Sequence, residues 1–126
     1  FGLDTTIAFD VPGAKPYEVV TKLGEGTAIK IMDSSTICDY RMINYMKQTA
    51  EKHKIKYQLE ILPAGGTDTA GIQRMTPGGA ISGAISIPTH HIHQVIEMAD
   101  KNDIAASINL LKHCLQDLNK FDWKHK

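Results

Sequence analysis

Apolar and polar positions along this chain change period several times, and each period predicts an element. Lys54 to Leu62 (KIKYQLEIL) alternates Ile55, Tyr57, Leu59 and Ile61, which predicts a strand with those four on its buried face and Glu60 towards solvent. Thr5 to Asp10 (TTIAFD) is a short β-branched and aromatic run closed by Val11-Pro12-Gly13, a strand meeting a turn. Ala28 to Met32 (AIKIM) predicts another strand, and Ala80 to Ile87 (AISGAISI) is small and β-branched enough to be buried on both faces. Ala14 to Gly26 reads as a loop containing at most one strand. Between the strands the period lengthens. Asp39 caps a helix running to about His53, with Met42, Ile43, Tyr45, Met46 and Ala50 as its buried stripe. A short helix fits Thr69 to Met75, stopped by Thr76-Pro77-Gly78-Gly79. The last helix starts near Asn102 or Asp103, and Ile104, Ile108, Leu111, Leu115 and Leu118 form its stripe.

Strands alternating with helices imply an α/β layer sandwich whose sheet is at least partly parallel. Ligands of such sheets gather beyond the carboxyl ends of strands. Three polar or glycine-rich segments leave predicted strands here: Asp10 onward, Pro63 to Asp68, and Pro88 to His93. The chain has 126 residues, enough for one domain. Its 14 Lys and Arg balance 14 Asp and Glu, so it lacks the basic surplus that draws a protein to nucleic acid or anionic membrane. No run of eighteen apolar residues predicts a membrane span. The chain opens without Met and without a visible signal peptide, which leaves cytoplasmic as the default expectation. Cys38 and Cys114 are isolated and read as small buried hydrophobes rather than a disulfide or zinc pair.

Candidate chemistry concentrates in the three segments. Asp10 stands at a strand tip, where a carboxylate either accepts in a turn or binds a ligand. His90, His91 and His93 form a dense cluster, and His91 and His93 would point the same way if the segment were extended, within reach of one metal. The same cluster also reads as a solvent-facing loop. Gly65-Gly66-Thr67-Asp68 can cradle an anion with its N–H groups, or simply turn into the next helix with Thr67 or Asp68 as cap, and it lacks the lysine and spacing of a phosphate loop. No GxSxG elbow is present, and nothing around Cys38 marks it as a nucleophile. Asp10 and Asp68 could serve as a glycosidase pair only at a separation that the sequence does not fix.

Four segments then match one pattern in order: Thr6 to Val11 (TIAFDV), Ile29 to Ser35 (IKIMDSS), Leu62 to Asp68 (LPAGGTD) and Ile85 to His93 (ISIPTHHIH). Over nearly its whole length the chain resembles the carboxyl-terminal half of the glutamyl or deblocking aminopeptidases, some of which carry an endoglucanase or cellulase label. The resemblance implies a three-layer α/β sandwich with a mixed, largely parallel sheet, and makes residues 1–126 the carboxyl-terminal part of a catalytic domain. It implies two divalent ions, zinc or cobalt, a peptide substrate, and a homo-oligomer of dodecamer type. Among the residues it points to Asp10 and His93 as metal ligands, and more loosely to Gly65, Gly66, Thr67, Asp68 and His91 as substrate-binding. The remaining ligands and a general-base Glu fall in the family ahead of the position matching Phe1, so the chain is expected to be an inactive fragment that needs the amino-terminal portion of the same protein. His90-His91 stands where the family often has Arg-Tyr, Gln94 where Ser is frequent, and one extra residue separates Asp68 from Ile92. Those departures bear on substrate preference. Two other readings remain: a glycoside hydrolase, and a non-catalytic assembly module.

Overall fold

The structure, a computed structural model, describes residues 1–125. Five strands and three α-helices follow in the order β1 (Gly2–Ile7), β2 (Thr27–Met32), α1 (Tyr40–Lys52), β3 (Tyr57–Ile61), α2 (Thr69–Met75), β4 (Ala84–His90), β5 (Met98–Ala99) and α3 (Lys101–Asp117). The main path of the sheet is β1-β4-β2-β3, with β5 paired to β4. β1 runs parallel to β4 and β2 parallel to β3, while the β2–β4 and β4–β5 pairs are antiparallel. The sheet is therefore mixed, as expected for this α/β class. β1 begins and ends earlier than the TTIAFD run suggests, because pairing from Gly2↔Ala84 to Ile7↔Thr89 sets its limits.

Helices α1 and α3 pack on one face and against each other. Their core joins Ile29 of β2 and Ile85 of β4 to Met42, Tyr45, Met46 and Ala50 of α1 and Leu110 and Cys114 of α3. α1 follows its sequence pattern closely. Asp39 caps it by accepting from Arg41 N at 2.9 Å, and the Arg41 guanidinium closes a two-pronged pair on the same carboxylate. Tyr45 donates its hydroxyl to the Cys114 carbonyl at 2.6 Å, tying the two helices through the core. Both cysteines are free and buried. Burial pushes the Cys114 thiol up to about 11, which keeps it an unreactive core group.

α3 differs from the expectation. The stripe Ile104, Ile108, Leu115 and Leu118 is exposed, and the buried face is Asp103, Ser107, Leu110 and Cys114, one residue back around the helix. Polar bonds set this rotation. Asp103 accepts from Gly24 N at 2.7 Å and Gly26 N at 2.8 Å, and Ser107 donates to Thr27 Oγ1 at 2.8 Å. Three fixed hydrogen bonds at the helix start outweigh the larger apolar residues next to them. Gly26 is required there, since its φ of +89° is left-handed and a Cβ would collide with the Lys56 carbonyl.

The other face of the sheet is polar. Ile29 and Ile85 point to the helices, so alternation puts Thr6, Lys30, Glu60 and Ser86 on the opposite side. It is overlaid by the 62–69 segment and α2, whose Thr69 lies against Gly2. Seven-residue α2 is thus the third layer's only helix among the described residues. β3 keeps its apolar side towards the helices, where Tyr57 packs against the core, but Glu60 on its other side is fully buried while Leu59 and Ile61 are 47% and 57% exposed. The register pairs Glu60 with Lys30, and that ion pair accounts for the buried charge. Truncating Leu110 to Ala should lower stability by about 2–5 kcal/mol, whereas Asn109→Ala on the exposed side should stay within about 0.5 kcal/mol. Urea unfolding followed by circular dichroism measures both.

Candidate functional site

The polar face opens into a cleft of about 230 Å³. Asp4, Thr5, Thr6 and Ile7 of β1 form one wall, Lys30 the floor, Leu62 and Ala64 to Thr67 the second wall, and Ile92 and His93 the rim. Four of the residues singled out from the sequence meet here: Gly65, Gly66, Thr67 and His93. Asp68 and His91 do not line the cleft and are exposed.

The histidine cluster is divided by the end of β4. His90 is still in the strand, while His91 and His93 take left-handed backbone angles, φ 56° and 65°. The segment is consequently a turn and not the extended stretch that would aim both rings at one ion. Left-handed angles are uncommon outside glycine, though histidine tolerates them better than most. The His93 N–H donates to Glu97 Oε1 at 2.6 Å and fixes the turn, so the ring reaches the cleft alone.

Asp10 lies just beyond β1, its Oδ1 2.5 Å from His90 Nε2, and it does not line the cleft that His93 lines. Burial alone would raise this carboxyl. The His90 hydrogen bond, the Asp10 and Leu23 amides and the charge of His90 together hold it below the ordinary carboxylate value. The acid that shares the cleft with His93 is Asp4, exposed and accepting from Thr5 N at 2.8 Å. Sequence reading passed over Asp4 because it precedes the apolar run.

Beneath the cleft lies a charge cluster that was also missed. Lys30 is fully buried and ion-paired with Glu60, and its Nζ is 3.7 Å from Asp33 Oδ2. Glu60 Oε1 also accepts from Thr6 Oγ1 at 2.7 Å. Asp33 Oδ1 accepts from Ser35 N at 2.8 Å and Thr36 N at 2.9 Å, and its Oδ2 from Thr67 Oγ1 at 3.2 Å. The visible clue was a single charge of each sign inside two apolar strands, Ile29-Lys30-Ile31 and Leu59-Glu60-Ile61.

A carboxylate and an imidazole on one cleft are donors suited to a divalent ion of zinc or cobalt type. Among the described residues, no three His, Cys, Asp or Glu side chains converge on one point. The chain therefore fits part of a metal site.

The same α/β fold occurs in solved aminopeptidases. The aminopeptidase APDkam598 of the archaeon Desulfurococcus kamchatkensis superposes with a TM-score of 0.88 at 36% identity, over 91% of this chain and 33% of that one. The Pyrococcus horikoshii TET1 peptidase, which can assemble into a tetrahedron or a large octahedral shell, gives 0.66 at 27% identity over 74% of this chain and 27% of its own. In sequence, a putative aminopeptidase of Acetivibrio thermocellus is 43% identical over 109 residues, 86% of this chain and 32% of its own length. Residues 1–110 match the model of the M42 glutamyl aminopeptidases, and the chain belongs to that family. It spans about a third of the length of these relatives.

The Asp10–His90 contact gives a pH dependence of defined sign. A folded-state value held below the unfolded 3.8 means that its stabilisation is present above about pH 4 and drains as the pH falls further. The gap in melting temperature between the native protein and Asp10→Asn should be widest near neutrality and shrink towards pH 3, as read by thermal scans across that range.

Proposed function

We propose that the whole protein is a metal-dependent aminopeptidase, and that this chain contributes His93 and one aspartate, Asp10 as the resemblance implies or Asp4 from the cleft wall, to a site for two divalent ions, zinc or cobalt. The observation that carries the reading is the shared cleft: one carboxylate, one imidazole and a glycine loop around the same space. Family membership supports the peptidase activity, and the donor types support the metal. Bound metal would supply Lewis acidity, acidifying a water and polarising the scissile carbonyl.

The chain's own residues do the holding. The Thr5 N–H steadies the Asp4 carboxylate from behind, leaving its second oxygen free for a ligand. The His93 turn, locked by Glu97, presents the ring at the rim. Gly65 and Gly66 let a peptide main chain approach their backbone closely, since neither carries a side chain. Asp4 is the one carboxylate lining the cleft among the described residues, so the proton-transferring base and the remaining ligands come from the rest of the protein. Assembly as a homo-oligomer is supported by the TET1 relative, which can assemble into a tetrahedron or a large octahedral shell.

Full-length protein should hydrolyse aminoacyl-nitroanilides, lose that activity on dialysis against a chelator, and regain it with zinc or cobalt. His93→Ala should reduce metal content and cut turnover by on the order of a hundredfold, and so should the one of Asp10→Asn and Asp4→Asn that removes the ligand. Elemental analysis beside kinetics decides between the two aspartates. Activity indifferent to chelator and to all three variants, or cellodextrin hydrolysis in its place, defeats the reading.

A further inference from the structure

We infer that Lys30 is a positioning residue for the substrate-binding loop and acts on it through Asp33 and Thr67. This deepens the aminopeptidase reading and rests on it only for the identity of what binds. Lys30 underlies the cleft but has no solvent-exposed side-chain surface, and its ammonium is engaged with charge partners inside the protein. What it faces is two buried carboxylates, Glu60 and Asp33.

Asp33 is the junction. Its Oδ1 is pinned by two backbone amides of its own turn, Ser35 and Thr36. Its Oδ2 stands between the Lys30 ammonium at 3.7 Å and the Thr67 hydroxyl at 3.2 Å. The turn that Asp33 organises also carries the rest of the loop's anchorage. Ser34 donates to the Gly65 carbonyl through its N–H, at 3.1 Å, and through its hydroxyl. Gly66 lies so close to Ser35 that a Cβ on it would strike that side chain. Gly65, Gly66 and Thr67 are exposed or only half-buried, so apolar packing does little to hold them. Fixed hydrogen bonds to the 33–35 turn do that, and the turn's central carboxylate takes its orientation from a buried cation.

A lysine serving stability alone would be replaceable by an apolar residue of similar shape, because a buried ion pair commonly gains little over good packing. A positioning lysine is not replaceable in that way. Without its charge, the Asp33 Oδ2 loses the group that offsets a second carboxylate nearby, and its hold on Thr67 loosens. The loop then samples more conformations, and substrate must reorder it on binding.

The test uses Lys30→Met, Thr67→Val and Thr67→Ser in the full-length protein. Lys30→Met and Thr67→Val should each raise KM for a peptide substrate about tenfold, with kcat within about twofold. The double variant should be no worse than the more affected single, since both cut the same chain of contacts. Thr67→Ser, which keeps the hydroxyl, should restore KM. Hydrogen–deuterium exchange of the unliganded protein supplies a readout that needs no activity: exchange should rise at residues 63–69 and stay unchanged in β2 and β3. An unchanged KM, or exchange that rises across the whole sheet, overturns the inference and leaves Lys30 a structural residue. Should Lys30→Met fail to fold, Thr67→Val and its serine rescue decide alone. A native protein without chelator-sensitive activity would defeat the aminopeptidase reading, and the exchange pattern would still judge the loop.

Discussion

The ammonium of Lys30 lies sealed between the carboxylates of Glu60 and Asp33, and the rest of this structure is arranged so that it can. Taking an isolated charge out of water costs several kcal/mol, and removing one partner from such a cluster leaves an uncompensated charge that is more costly still. The sheet therefore cannot be apolar on both faces, as its most hydrophobic strands suggest. One face goes to the helices. The other must carry groups that satisfy Lys30, Glu60 from the neighbouring strand and Asp33 from the turn that ends β2, with Thr6 of β1 donating in turn to Glu60. A polar face cannot be roofed by a hydrophobic helix. It is covered instead by a hydrogen-bonding loop, and a cleft forms where the loop and β1 part.

The helix layer shows the same contest between polar anchors and apolar area. α1 has its cap at Asp39 and its apolar stripe in agreement, so its placement is unambiguous. In α3 the two disagree. Asp103 and Ser107 bond to the Gly24–Thr27 segment, and the helix turns until Leu110 and Cys114 face the core. Ile108 and Leu111 then border an apolar hollow beside Leu3, Ile85 and Ile87 instead of filling the centre. Beyond α3, Lys52 and Lys120 both bond to Asp117, which lowers that carboxyl to about 2 and clips the end of α1 to the chain leaving α3.

These two contests mark what could be read from the sequence. Element types and order were legible, because periods of 2 and 3.6 differ over a few residues and the turn residues fall between them. The burial of Glu60 was not. Counting Ile55, Tyr57, Leu59 and Ile61 assumes that burial follows hydrophobicity, and a buried ion pair breaks that rule on the other side of the strand. A register was needed to see that Glu60 stands beside Lys30. The site was half legible in the same sense. His93 and the loop Gly65 to Thr67 announce themselves by composition and position. Asp4 does not, since an acid at the start of a strand looks like any solvated end until pairing with β4 draws it into the sheet.

Asp10 and His90 meet where β1 and β4 end. Parallel strands that open a cleft at their carboxyl ends need a tie at that end, or the cleft widens with every fluctuation of the edge strand. β1 and β4 have two such ties past their last paired residues. The Ala8 N–H donates to the Thr89 carbonyl at 3.0 Å, and Asp10 meets His90 at 2.5 Å. His90 is committed to this contact, and the chain then reverses through two left-handed residues to deliver His93 to the opposite side of the rim. The neighbouring histidines thus divide the labour: His90 holds the strands closed, and His93 faces the space that the closure defines. The contact with His90 engages one oxygen of Asp10, and a carboxylate offers about four acceptor positions, so Asp10, like Asp4, keeps lone pairs for a further ligand.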